Sequence, residues 1–184
     1  MQSVEIVREF VIAGHGDLEK VKQMLAENSE LLNVAYEWKE NDRETAIQAA
    51  AHVGNVPIAE FLLARGAPLE IATAAMLGRK QDVENILARE PAKIRATGAH
   101  GISLMAHAAL SGDVELAAML YARGAREGIS YALNNAVAKK HFAMAQWLIE
   151  NTQPNLSWKN FQGKTALDVA EEQGDVALIQ LLKK

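Results

Sequence analysis

T-A-I-Q-A-A-A-H-V-G-N-V-P-I-A-E-F-L-L-A-R-G-A, from Thr45 to Ala67, is the stretch that decides the fold. It recurs without gaps as S-L-M-A-H-A-A-L-S-G-D-V-E-L-A-A-M-L-Y-A-R-G-A from Ser103 to Ala125, and as T-A-L-D-V-A-E-E-Q-G-D-V-A-L-I-Q-L-L from Thr165 to Leu182. Working outward, a further copy begins at Gly14, and weaker ones begin at Ala74 and Ala136. In each copy a turn residue separates two short apolar-periodic segments: Gly16, Gly54, Gly78, Gly112, Lys140 and Gly174, spaced by 38, 24, 34, 28 and 34 positions. Glycine suits a chain that leaves a helix in the left-handed region, which it adopts without strain. After Gly54 the apolar residues are Val56, Ile58, Ala59, Phe61 and Leu62, and after Gly112 they are Val114, Leu116, Ala117, Met119 and Leu120. That is helical periodicity with one buried face. The small pairs Ala50-Ala51 and Ala108-Ala109 let neighbouring helices approach closely.

These features resemble the ankyrin repeat family, whose unit is a β-turn and two helices over about 33 residues. The resemblance rests on Thr45, Ser103 and Thr165 at helix starts, the alanine pairs, the Gly-Asp/Asn-Val turns, and the Gly66-Ala67 and Gly124-Ala125 ends. It implies an all-α, ankyrin-type helical solenoid: twelve short helices in six stacked pairs, with short β-turn fingers. The whole chain is then one domain, with repeats near 1–32, 33–68, 69–94, 95–126, 127–152 and 153–184. No copy keeps the family's full T-P-L-H start; its His position carries Gln48, Ala72, Ala106, Asn134 and Asp168. The spacings leave room for fingers at about 33–44, 95–102 and 155–164. At Pro68-Leu69-Glu70 and Arg126-Glu127-Gly128 the chain passes almost directly into the next helix, leaving gaps.

Composition bounds the function. Of 184 residues, 49% are hydrophobic and 23% charged, as in a folded globular protein. The net charge of −4 argues against a nucleic-acid partner, which needs clustered Lys and Arg. There is no Cys, which excludes disulfides, a thiolate zinc site and a Cys nucleophile. Glu5, Arg8 and Glu9 break the apolar residues of the N-terminal stretch, so it does not read as a secretory signal, and no apolar run is long enough for a bilayer. A cytoplasmic monomer is expected, with no membrane contact.

Catalytic chemistry finds little support. Ser103 and His107 stand at i and i+4, but Ser103 aligns with the capping residues Thr45 and Thr165. His15, in Gly-His-Gly, and His141 flank turns and read as solvated. His52 and His107 lie two repeats apart, roughly 16–20 Å at helix-packing distances, too far to share a metal. His100 and His107 lack a third ligand, so no metal site and no cofactor are expected.

The expected function is therefore non-catalytic recognition of a protein partner through the concave face and fingers. The first finger supplies Tyr36, Trp38, Glu40, Asp42 and Glu44, followed by His52 on the next helix; the last supplies Trp158, Phe161 and Lys164. Exposed Trp and Tyr are enriched at binding hot spots; folding back of Trp38 and Trp158 as packing is the competing reading, whereas Trp147 is expected in the core. The alternative is a small-molecule or unusual catalytic pocket lined by His52, Met76, His107, Tyr131, Asn134 and Asn135.

Overall fold

A computed structural model describes residues 3–183. Among these, twelve α-helices pack pairwise in chain order: α1 (Val4–Gly16) with α2 (Leu18–Glu27), α3 (Ala46–Val53) with α4 (Val56–Ala64), and α5 (Ile71–Met76) with α6 (Lys80–Arg89). The remaining pairs are α7 (Leu104–Ser111) with α8 (Val114–Ala122), α9 (Ile129–Ala138) with α10 (Phe142–Asn151), and α11 (Ala166–Glu172) with α12 (Val176–Leu182). This is the expected helical stack. The first helices form a row, α1 against α3, then α5, α7, α9 and α11. Because α5 has only six residues, α3 also reaches α7 across it.

Local chemistry explains the boundaries. Thr45, Ser103 and Thr165 cap their helices through the amides of Gln48, Ala106 and Asp168. In the first and last of these, Gln48 and Asp168 reach back to the cap amide and complete a capping box. Gly54 and Gly112 end α3 and α7 at φ 69° and 75°. Lys140 takes the same left-handed turn at φ 59°. Lys140→Gly should therefore relieve strain of about 1 kcal/mol, less the entropy that glycine loses on folding. Urea unfolding should show a gain below that figure; a clear loss would contradict the turn geometry.

The first turn differs from the expectation. α1 continues helically through Gly16, and the junction to α2 falls at Asp17, φ −114°. Gly14 explains why the helix lies where it does. A Cβ there would stand 2.6 Å from the Ala46 carbonyl oxygen, so α1 and α3 touch backbone to backbone.

The core is apolar and shared along the stack. One cluster runs from Val7 and Phe10 through Ile58 and Leu62 to Met76, and a second from Val83 through Leu116, Leu133 and Leu148 to Leu178. Helices this short are marginal alone in water, so neighbour packing carries their stability.

The fingers have three constructions. The first is a hairpin of β1 (Ala35–Lys39) and β2 (Asp42–Thr45), turning through Asn41 at φ 64°. The second is built from short 3-10 turns at Pro91–Arg95 and Ala99–Gly101 with a Thr97–Ser103 bridge. The third is a loop closed by the Asn160 amide, which donates to the Lys164 carbonyl, and by the Gly163 amide, which donates to the Asn160 carbonyl. At 68–70 and 126–128 the chain enters α5 and α9 without a finger.

Candidate functional site

The first helices and the fingers enclose a concave groove of about 870 Å³. His15 of α1, His52 of α3, Leu110 of α7, Tyr131, Asn134 and Asn135 of α9, and Phe161 of the third finger all line it. The second helices contribute nothing to this lining.

At one end of the groove, four segments converge on one carboxylate. β2 alternates its side chains, which turns Glu44 inward beneath the hairpin, with its side chain fully buried. The Trp38 Nε1–H donates to Glu44 Oε2 at 2.8 Å. His52 Nε2 stands 3.0 Å from Oε1, His100 Nε2 3.4 Å from Oε1, and His15 Nε2 3.7 Å from Oε2. The His15 and His52 Nε2 atoms are 3.1 Å apart. His100 sits at φ 58°, on the second finger, with Nδ1 3.0 Å from Asp42. Burial acts to raise the Glu44 pKa, but the His52 contact, its charge and the Trp38 hydrogen bond outweigh it and hold the carboxyl below its usual range. Asp42 is likewise held low, chiefly by its hydrogen bond with His100.

Several sequence expectations are corrected here. His15 is not a solvated turn residue, because the extended α1 holds it against His52 and Glu44. His141 is also engaged, with Nε2 3.1 Å from the Leu110 carbonyl oxygen. Glu44 is not an exposed acidic anchor. Met76 and His107, expected to line a pocket, are each 1% exposed and lie in the packed interior. His107 Nδ1 approaches the Ser103 carbonyl oxygen at 2.9 Å while the Ser103 hydroxyl caps α7, so these two form no nucleophile–base pair.

The remaining residues divide by exposure. Tyr36 and Trp38 are half-buried and packed edge to face, with the Arg8 guanidinium 5.9 Å above the Trp38 ring. Trp158 is half-buried and stacks on Tyr131 at 5.2 Å, whose hydroxyl pKa burial raises. Both finger tryptophans thus take the packing role. Trp147 is half-buried, edge to face with Tyr121. Asn135 donates to the Ala106 carbonyl, and Asn134 donates to the Lys164 carbonyl while accepting from Asn160. Lys164 pairs with Glu172 at 2.7 Å, and Glu40 is exposed. Phe161 is 91% exposed at the groove rim.

The fold and groove define a stack of paired helices with a concave face edged by fingers. Residues 42–74, from the second strand of the hairpin into α5, match the ankyrin repeat family model. No curated protein matches the chain. Among the described residues, no helix is long and apolar enough to cross a membrane.

Proposed function

We propose that the protein is a non-catalytic binding module whose concave groove takes a segment of a protein partner. The ankyrin repeat match supports a protein-binding role, and one observation carries the choice of surface: Phe161 leaves nearly all its ring in solvent at the rim of a mainly apolar groove. A large exposed aromatic beside a groove is the kind of anchor that dominates binding energy. Tyr131, stacked on Trp158, lines the same groove. Charge adds orientation, with exposed Glu37 and Glu40 on the first finger and Lys159 on the third.

The test is selection of a displayed peptide library on the wild-type protein, followed by affinity measurements. Phe161→Ala should weaken the selected peptides by about 2 kcal/mol and leave the melting temperature unchanged, since the ring is outside the core. Peptides that bind Phe161→Ala and Tyr131→Ala as tightly as wild type would overturn the assignment of the groove.

A further inference from the structure

We propose that His15, His52 and Glu44 form a zinc site in the groove wall, with His100 standing at its open side. The three side chains come from α1, β2 and α3, and their ligand atoms all lie within 4.8 Å of one another. His15 Nε2 and His52 Nε2 are 3.1 Å apart, His52 Nε2 lies 3.0 Å from Glu44 Oε1, and His15 Nε2 lies 3.7 Å from the other oxygen, Oε2. Zinc held tetrahedrally at its usual bond lengths of about 2.0–2.1 Å spaces its ligand atoms by about 3.3 Å. The two edges that meet at His52 Nε2, to His15 Nε2 and to Glu44 Oε1, are already close to that length.

Its hydrogen bonding points the same way. His15 Nδ1 lies 3.1 Å from the Val11 carbonyl oxygen, which can only accept, so the neutral ring carries its proton there and turns the Nε2 lone pair inward. His100 Nδ1 faces the Asp42 carboxylate, so its neutral ring likewise presents an Nε2 lone pair toward Glu44. Glu44 Oε1 is buried and receives no hydrogen bond. The His15 lone pair, the His52 Nε2 and the buried Glu44 Oε1 thus converge where one cation would satisfy all three, with His100 beside the same oxygen. A carbonyl or carboxylate behind the imidazole is the usual support of a metal-bound histidine. Trp38 fixes the other Glu44 oxygen in the same manner. Two imidazoles and a carboxylate suit zinc and disfavour the all-oxygen ions magnesium and calcium. The open side faces the groove, where His15, His52 and His100 are all lining residues.

The test uses the full chain, free of any affinity tag and stripped with a chelator, titrated calorimetrically with zinc sulfate in a non-coordinating buffer. One equivalent should bind and raise the melting temperature. Cobalt(II) in its place should show the intense visible bands of a low-coordinate site. His15→Asn, His52→Asn and Glu44→Gln should each weaken zinc at least 100-fold, while His141→Asn, which alters a histidine outside the cluster, should leave it unchanged. Circular dichroism of the metal-free variants checks folding. His15 keeps a third of its side chain in solvent, so His15→Asn decides the matter if either buried substitution unfolds the chain. Absence of saturable binding at one equivalent, or binding by His15→Asn within twofold of wild type, overturns the site.

Discussion

Gly14→Ala should lower the unfolding free energy by about 1–2 kcal/mol, while Gly16→Ala, two residues away, should raise it. Both glycines lie in α1 with ordinary helical backbone. In an open helix position, alanine is favoured over glycine by about 0.8–1.0 kcal/mol. At Gly16 that preference acts alone, because an added Cβ meets nothing within 4 Å. At Gly14 the Cβ would lie 2.6 Å from the Ala46 oxygen and 2.9 Å from the Ala46 Cα. Those are backbone atoms, so no side-chain rotation relieves the clash and the helices must separate. Overpacking of this kind costs about 1–3 kcal/mol, and here it spreads to Phe10, Ile47 and Ala50 in the same cluster. Urea denaturation of both variants reads the effect. Equal and favourable shifts would mean that α1 and α3 do not meet at Gly14.

His107→Leu should cross wild type in stability as the pH falls. The His107 ring is buried, its Nδ1 bonds to the Ser103 carbonyl, and its Nε2 has no partner. Burial is the main cause that lowers its pKa from 6.5 to about 4; nearby His52 adds to the fall, and the Ser103 hydrogen bond opposes it. Protons therefore bind the unfolded chain first. The native state loses stability as pH falls from about 6.5 toward 4, and by pH 4.5 the loss from this residue is on the order of 2–3 kcal/mol. At pH 7 leucine forfeits the Ser103 hydrogen bond, about 1 kcal/mol. The variant should be the weaker protein at pH 7 and the stronger at pH 4.5. Parallel unfolding free energies across that range would show that His107 takes up its proton as easily folded as unfolded.

The repeat pattern made the helices legible, and the reason is local. Thr45, Ser103 and Thr165 are capping residues whose partners lie three positions on, and Gly54, Gly112 and Gly174 mark left-handed exits. Signals of that range survive in a bare sequence. Gly16 misled because its role in the copies suggested a turn, while the contact that shapes α1 comes from Gly14 against Ala46, 32 positions away. The histidine–carboxylate cluster was hidden for the same reason. Its members, at 15, 44, 52 and 100, show no ligand spacing until the stack sets α1, α3 and two fingers side by side. One signal was available. In an antiparallel hairpin Tyr36 pairs with Glu44, and side chains alternate, so the face carrying Tyr36 and Trp38 also carries Glu44. Aromatic residues on that face mark it as the packed one. Met76 and His107 failed as pocket residues because the shortness of α5 lets α3 reach α7, which leaves both in the interior.

The groove as the binding surface is tested most directly by nuclear magnetic resonance. The labelled protein is titrated with a peptide selected on it, and backbone amide shifts are followed. Shifts should concentrate on the groove lining, at Tyr131, Asn135, Lys139, Phe161 and Gln162, with little change along α4, α6 and α8. Shifts concentrated on those second helices, with the groove amides unmoved, would contradict it.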